Sequence, residues 1–362
     1  MKTILLCLFV LTFSALRSQT DTLWRTKPSL NFTGFADVFY VYDFNKPAQN
    51  KRQEFFYNHN RHNEFNINLG LLKLNLQHPK YRANIAFQTG TYSDDNYAAE
   101  PGLLKIIFEA NTGLSLNRQN TLWLDAGVFP SHIGFESAIS SDNLTLTRSI
   151  LAENSPYYLS GIKMTYEPSQ NWEFSALVCN GWQRIQRIEG NTLPAFGSQI
   201  KFKSDEKFTL NWSTFLGTDD PDTIRRMRYF NNFFAEFQLS EKIRLLSGFD
   251  LGFQQKLRHS SDFDVWLSPV LITQYSLSEK WAIALRAEYY QDKSGVIVVL
   301  PSQKAFKVRG FSFNLDYSPI QNAVWRIEAR WLNSKELIFE NKNGLTKHNF
   351  FLTTCLAVKL NP

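Results

Sequence analysis

The chain has 362 residues, of which 43% are hydrophobic, 15% aromatic and 20% charged, and its formal net charge is +6. This aromatic content excludes an intrinsically disordered chain. A mean hydropathy of −0.29 excludes a membrane protein built from several apolar helices. The small positive charge gives no indication of nucleic-acid binding, which requires a clustered basic face.

The first residues have the features of an export signal. Lys2 gives a positive start, and the apolar stretch over 4–16 is shorter than the roughly 20 residues that a transmembrane helix needs. Ser18 precedes a plausible cleavage point. We therefore predict that 1–18 is a signal peptide and that 19–362 forms a single domain.

The rest of the chain alternates between apolar and polar residues with a period of two, which is typical of strands whose two faces differ. In 81–89, for example, Ile85 and Phe87 share one face while Arg82 and Gln88 share the other. The same alternation recurs along the chain in 64–77, 122–128, 172–178, 196–203, 243–254, 281–289 and 325–331. Within 64–77 the phase changes at Leu71-Leu72, which predicts a β-bulge at that point.

The connections between these segments are of two kinds that alternate along the chain. The short polar connections lie at 78–80, 117–120, 168–171, 204–206, 240–242, 278–280 and 318–322. The long connections are 44–62, 91–103, 130–156, 183–195, 218–228, 257–263, 292–306 and 334–347. Seven turns and eight loops predict an all-β fold, a transmembrane antiparallel up-and-down barrel of about sixteen strands.

Aromatic residues on the apolar face indicate that this barrel lies in lipid. Tyr166, Trp172 and Trp281 are next to short turns, whereas Tyr158 and Tyr229 lie at the opposite strand ends. Two such belts are typical of the two membrane interfaces. A soluble β-protein can also alternate, but the export signal, the even strand number and the belts together favour the outer membrane of a Gram-negative bacterium.

Two segments, LDAGVFPSHIGFES over 124–137 and LTRSILAENSPYY over 146–158, resemble a known family. They are similar to the beta-barrel porin-2 family of OmpL-like outer-membrane porins, and 180–182 is similar as well. The strongest resemblance covers 122–182. It implies a porin-like barrel for small solutes, with no catalytic residues to carry over.

The longest connection, 130–156, is rich in apolar residues such as Ile133, Phe135 and Leu146. Apolar side chains at this density seek burial, and a sixteen-strand barrel has a lumen wide enough to hold a loop. We therefore predict a constriction loop that folds inward. It would bring four charged residues towards the lumen: Glu136, Asp142, Arg148 and Glu153.

Strand parity places a set of charged residues on the polar face, and these are the predicted pore-lining residues: Arg82, Glu109, Asp125, Arg244, Arg286, Glu288, Arg326, Glu328 and Arg330. Mixed charges in a narrow pore create a transverse field that orients polar solutes. Alternatively, these residues form purely structural charge ladders along the wall. The sign of the preferred ion does not follow from their balance.

Three other groups of polar residues could form metal sites or a disulfide, but we favour an ordinary structural role for each. His59 and His62 could share a metal ion, but nearby basic residues favour a solvated loop. Asp219, Asp220 and Asp222 could bind calcium, but the adjacent arginines would neutralise them or would themselves pair with lipopolysaccharide phosphates. Cys179 and Cys355 could form a disulfide, although two unpaired strand residues are favoured.

The predicted function is that of a porin for passive diffusion of small hydrophilic solutes, with no enzymatic activity, metal or cofactor. The predicted partners are outer-membrane lipid and lipopolysaccharide, the barrel-assembly machinery and a possible homotrimer, but no nucleic acid. One alternative is a closed or plugged barrel that acts as a surface binding or adhesion protein through Phe55, Phe56 and Tyr57. A weaker alternative is a membrane hydrolase that uses Ser131 and His132.

Overall fold

The computed structural model describes residues 22–205, 207–300 and 305–360. The predicted signal peptide, 1–18, lies outside the described residues. The strands in chain order are β1 (Ser29–Asp43), β2 (Phe65–Gln77), β3 (Tyr81–Thr89), β4 (Ile107–Ser115), β5 (Leu122–Pro130), β6 (Tyr158–Tyr166), β7 (Trp172–Cys179), β8 (Ala195–Ser204), β9 (Phe208–Gly217), β10 (Arg228–Gln238), β11 (Ile243–Gln255), β12 (Phe263–Ser276), β13 (Trp281–Asp292), β14 (Phe306–Ile320), β15 (Ala323–Ser334), β16 (Phe339–Asn341), β17 (Gly344–Thr346) and β18 (His348–Leu360).

Sixteen of these strands form a closed antiparallel barrel in which each strand pairs with its neighbours along the chain. The last strand, β18, pairs with both β15 and β1 and so closes the barrel. β16 and β17 form a separate two-stranded hairpin in the last loop. The predicted sixteen-strand up-and-down barrel is confirmed.

The two faces of the wall differ in the way that the alternation predicts. Outward side chains such as Ile85, Leu285 and Phe313 are exposed on the outer face, whereas inward side chains such as Asn232 and Asn314 are buried. Aromatic rings also meet beside the short turns on the outer face. The average composition conceals this separation, because each strand contributes half of its residues to each face.

The bulge in β2 lies earlier than the predicted position at Leu71-Leu72. Asp37 pairs with Leu69 and the next residue, Val38, pairs with Ile67, so Asn68 is the extra residue. The side chain of Asn68 points inward, and its Oδ1 accepts the backbone N–H of His59 at 2.9 Å. His59 lies in a loop, so the alternation within the strand gave no indication of this contact.

A 3₁₀ turn at Thr22–Arg25 precedes β1, and the other helical segments of the described residues lie in the loops. α1 (Thr91–Asn96) and a 3₁₀ turn at Gly102–Ile106 lie between β3 and β4. A second 3₁₀ turn at Ser140–Asp142 and the short helix α2 (Ile150–Glu153) lie between β5 and β6. Among the described residues, no helix is both long and apolar enough to cross a membrane.

Candidate functional site

The connection between β5 and β6, residues 131–157, lies against the inner wall of the barrel; we call it loop 3. Leu146, Ile150 and Leu151 are fully buried. Leu144 and Leu151 pack with Val270 and Ile272 of β12. Loop 3 therefore has an apolar side that packs on the barrel wall.

Arg286 on β13 holds the backbone of loop 3. Its guanidinium donates to the carbonyl oxygen of Thr147 at 2.5 Å and to Thr145 Oγ1 at 2.9 Å. It also forms an ion pair with Glu328 on β15 at 2.6 Å. Glu328 in turn accepts the backbone N–H of Thr147 at 2.6 Å. One arginine and one glutamate thus satisfy both backbone groups of the same loop residue.

Two further arginines on β15 also donate to the backbone of loop 3. Arg330 is paired with Glu288 at 2.5 Å and donates to the carbonyl oxygen of Arg148 at 2.9 Å. Glu288 accepts the backbone N–H of Ile150 at 2.7 Å. Arg326 is paired with Asp316 at 2.7 Å and donates to the carbonyl oxygen of Ser140 at 2.5 Å.

We call these six residues the wall ladder: Arg286, Glu288, Asp316, Arg326, Glu328 and Arg330. Three positive and three negative charges balance, as burial of ionised groups requires, and all six are buried. Five were predicted to line the pore. They do point to the inside of the barrel, but loop 3 covers them, so they contact its backbone rather than open lumen.

The opposite part of loop 3 contacts β8–β11 through two side chains that occupy space above glycines. The ring of His132 lies where a Cβ on Gly197 would be, and the ring of Phe135 lies where a Cβ on Gly248 would be. His132 Nε2 donates to the carbonyl oxygen of Thr214 at 2.8 Å. A larger residue at either glycine would displace the loop. Sequence reasoning did not identify these glycines, because an inward glycine in a strand has no distinctive pattern.

The four charged residues of loop 3 lie in different environments. Arg148 and Glu153 are buried and form an ion pair at 3.3 Å. Asp142 is exposed and pairs with Lys359. Glu136 accepts the backbone N–H and the hydroxyl of Ser149. Shielding from water raises the pKa of the Glu136 carboxyl, although Arg286 and the Ser149 hydrogen bonds act in the opposite direction.

The connection between β1 and β2, residues 44–64, also folds inward; we call it loop 1. The backbone N–H of Tyr57 donates to Glu153 of loop 3 at 2.9 Å. Phe55 and Phe56 are only 2% exposed. Their burial contradicts the prediction that these rings form an adhesive surface, because they pack within the barrel instead.

A cavity of about 630 Å³ lies on the part of the lumen that loop 3 leaves uncovered. It extends between β2–β4 and β8–β10, towards the short turns, and the lining includes Lys73, Glu109, Lys201, Lys203 and Glu236. Lys73 and Glu109 form an ion pair at 2.6 Å. Loop 3 residues 131 and 133–139 form one boundary of this space.

The remaining predicted pore-lining residues lie near this space or near the turn end. Arg82 and Asp125 form an ion pair at 2.5 Å, with the Arg82 side chain 32% exposed. Arg244 is exposed and lines a second cavity of about 300 Å³ next to the short turns.

The structure also places the residues of the alternative sites. His59 and His62 are buried, so the solvated-loop interpretation was wrong for both. Asp220 pairs with Arg226 at 2.8 Å, and Asp222 with Arg225 at 2.7 Å, which bears out neutralisation by arginines. Cys179 and Cys355 are both free and buried.

Ser131 and His132 are not arranged as a nucleophile and base. Ser131 Oγ accepts the N–H of Ile133 at 3.1 Å, and Nδ1 of His132 has no hydrogen-bond partner among the described residues. Burial lowers the pKa of His132 to about 4. A general base in such a pair needs a group that orients its second nitrogen.

A comparison with protein families gives one that matches residues 29–360, described as "Putative beta-barrel porin-2, OmpL-like". The chain belongs to this family. It is an outer-membrane porin for passive diffusion, and both family and fold point to a channel rather than an enzyme. No curated protein sequence matches this porin.

Solved porin structures share the fold at low sequence identity. The anion-selective porin from Comamonas acidovorans is 10% identical, with a TM-score of 0.62 over 92% of this chain and 100% of that chain. The outer-membrane channel DcaP of Acinetobacter baumannii is 10% identical, with a TM-score of 0.62 over 92% and 97%. OmpT of Vibrio cholerae, in its trimer form, is 7% identical, with a TM-score of 0.60 over 92% and 100%.

Proposed function

We propose that small hydrophilic solutes cross this porin on the side of the lumen formed by β2–β10, past loop 3, which acts as the constriction. The observation that carries the proposal is the asymmetric position of loop 3. Its backbone is bonded to the wall ladder on β13–β15, while the 630 Å³ cavity lies between β2–β4 and β8–β10.

The charges around this path support a preference for polar solutes of either sign. Lys73, Lys201 and Lys203 line the cavity together with Glu109, Glu136 and Glu236. Equal numbers of opposite charges favour polar solutes over apolar ones without strong selection by sign. Arg82, Asp125 and Arg244 extend the proposed pore lining beyond the cavity.

Liposome swelling tests the solute class. Purified, folded protein in liposomes should admit monosaccharides and amino acids quickly and larger oligosaccharides more slowly, because loop 3 narrows the lumen. Uptake that is no faster than in protein-free liposomes would reject the proposal. Identical rates for all sizes would reject the constriction while leaving the channel in place.

A closed barrel is the second candidate, and the contact between loops 1 and 3 favours it. Glu153 accepts the N–H of Tyr57, and Asn154 Nδ2 donates to the carbonyl oxygen of Phe55 at 3.4 Å. If these contacts close the lumen, the protein would bind ligands at its outer surface instead of conducting them. Liposomes separate the two functions, since a closed barrel gives no swelling.

The proposal also covers the membrane in which the porin lies, its assembly and its oligomeric state. We propose a Gram-negative outer membrane, reached through a signal peptide over 1–18 and the barrel-assembly machinery, with lipopolysaccharide around the outer rim and no enzymatic turnover or cofactor. We also propose a homotrimer, supported by the trimer form of OmpT. Cross-linking of the purified protein in mild detergent tests this assembly, and a monomer at all concentrations would contradict it.

A further inference from the structure

Three metal-ligating side chains lie together on the inner face of the seam between β1 and β18. Asp37 pairs with Ala357 and Phe39 pairs with Cys355, so Asp37 and Cys355 are diagonal neighbours on the same face. His59 reaches this point from loop 1. The cluster therefore joins three parts of the chain where the first and last strands close the barrel.

The distances between these side chains are close to those of three ligands that share one ion. The three ligand atoms all lie within 4.8 Å of one another. His59 Nε2 is 3.3 Å from Asp37 Oδ2. Tetrahedral zinc, with bonds of about 2.0–2.3 Å, places ligand atoms on the order of 3.3–3.8 Å apart. Only a small movement of the thiol or ring would bring all three to ligating distance.

The imidazole of His59 provides an independent observation. Its side chain is 1% exposed, and apart from the 3.3 Å approach of Nε2 to Asp37 neither ring nitrogen has a hydrogen-bond partner among the described residues. A buried polar group without a partner costs free energy.

The neighbouring residues hold the carboxylate and the loop in place. Asp37 Oδ1 accepts the N–H of Leu69 at 2.7 Å, and Oδ2 accepts Asn68 Nδ2 at 3.2 Å. The rings of His59 and Phe39 pack edge to face, 5.1 Å apart between centroids. Hydrogen bonds of this kind orient metal ligands in known sites. The bulge at Asn68 thus serves both the carboxylate and the loop that carries the histidine.

We propose that Asp37, His59 and Cys355 bind one Zn²⁺ ion, which ties loop 1 to the closing seam of the barrel. The mixed set of sulfur, nitrogen and oxygen donors is one that zinc accepts. A thiolate, a carboxylate and a neutral imidazole also balance the two positive charges of the ion, which suits a buried site. Binding would release the thiol proton to solvent.

Metal content after refolding tests the site directly. The full chain is unfolded with a phosphine reductant, refolded in detergent with Zn²⁺ and desalted into metal-free buffer, and folding is checked by heat-modifiable gel mobility. We expect about one zinc ion per wild-type chain. Cys355→Ser and His59→Gln should bind zinc about tenfold more weakly, or more weakly still.

The control for Cys355 is a cysteine on β7, and the control for His59 is a second histidine of loop 1. Cys179 is the other free buried cysteine, and His62 in loop 1 accepts the N–H of Asp43. Cys179→Ser and His62→Gln should retain zinc at the wild-type level. Zinc should also raise the apparent Tm of the wild type and these controls, but not that of Cys355→Ser.

Cobalt substitution keeps the proposal testable if a ligand variant fails to fold. Wild-type protein refolded with Co²⁺ should show a thiolate-to-cobalt charge-transfer band in the near ultraviolet and d–d bands of tetrahedral intensity. Absence of these bands would overturn the proposal. So would wild-type protein without zinc, or equal zinc content in the wild type and a folded Cys355→Ser variant.

Discussion

Arg286 shows how one buried side chain can hold a loop against the barrel wall. It is buried, it is paired with Glu328 at 2.6 Å, and it binds the backbone of loop 3 at Thr147. A buried arginine that also satisfies loop carbonyls holds the loop in one position, because moving the loop would leave charged groups without partners.

We expect Arg286→Met to destabilise the folded protein by about 3–5 kcal/mol, since it leaves the carboxylate of Glu328 buried without this partner. Loop 3 should also leave the wall more often, which would add noise to the single-channel current. Urea unfolding followed by gel mobility measures the first effect. Arg309→Met, at an exposed position of β14, is the control.

A second substitution separates the effect of an unpaired charge on Glu328 from the loss of the contact between Arg286 and loop 3. The double variant with Arg286→Met and Glu328→Gln has no uncompensated charge at this position, so it should recover part of the stability. A double variant less stable than Arg286→Met alone would contradict this account of the pair.

We expect Glu136 to make the position of loop 3 dependent on pH. Its raised pKa means that the bound loop holds the proton more tightly than a released loop does. The bound loop is therefore most stable below the ordinary pKa of glutamate, and it loses stability as the pH rises through the raised value. Channel fluctuations should be more frequent at about pH 7.5 than at about pH 4.5.

Glu136→Gln should remove this pH dependence, because the amide oxygen can still accept from Ser149 but does not ionise. Single-channel recording at the two pH values measures the effect. The exposed turn residue Glu241 provides the control, Glu241→Gln, which should behave as the wild type. An unchanged pH dependence in Glu136→Gln would show that another group is responsible.

Loop 3 as an element occupies the lumen without being part of the wall. The barrel strands on either side of it, β5 and β6, pair with each other over their whole length. The wall should therefore still close when most of loop 3 is removed, and the lumen should widen.

Replacing residues 133–152 with a short glycine linker should raise the single-channel conductance about two- to threefold, by analogy with the wider lumen of a barrel without an inserted loop. Shortening the exposed loop at 257–261 is the matched control, and it should leave the conductance unchanged. An unchanged value after deletion of 133–152 would contradict the constriction.

At the scale of the whole molecule, we expect the balance of charges along the proposed solute path to set ion preference. Lys201 and Lys203 lie on β8 and line the cavity. Reversing both to glutamate should move the reversal potential in a salt gradient towards cation preference, with a permeability ratio several-fold above that of the wild type. Lys342→Glu on the exposed outer hairpin should have no effect.

The barrel could be predicted from the sequence because each strand carries its own alternating pattern, which needs no information from its neighbours. The density of apolar residues around Leu146 and Ile150 similarly predicted burial of their loop. Contacts that a loop makes inside the barrel could not be predicted in this way. Phe55 and Phe56 are buried because loop 1 folds inward, where their rings pack against Phe306 and Phe351. Gly197 matters because His132 occupies the space above it.

The same limit applies to the charged residues of the wall. Strand parity predicts that Arg286, Arg326 and Arg330 point inward, but it does not show whether water or a loop lies opposite them. The partners of these arginines are backbone atoms at Ser140, Thr147 and Arg148, which have no signature in the sequence. The structure was therefore needed to separate the charged residues beside the proposed solute path from those that hold loop 3.

The single-channel conductance of the folded wild-type protein in a planar bilayer tests the central claim most directly. A water-filled lumen narrowed by loop 3 predicts discrete, ohmic current steps that are smaller than those of the variant without 133–152. Both proteins should be inserted from the same detergent after their folding has been checked by gel mobility. Folded wild-type protein that inserts without any current steps would contradict the account.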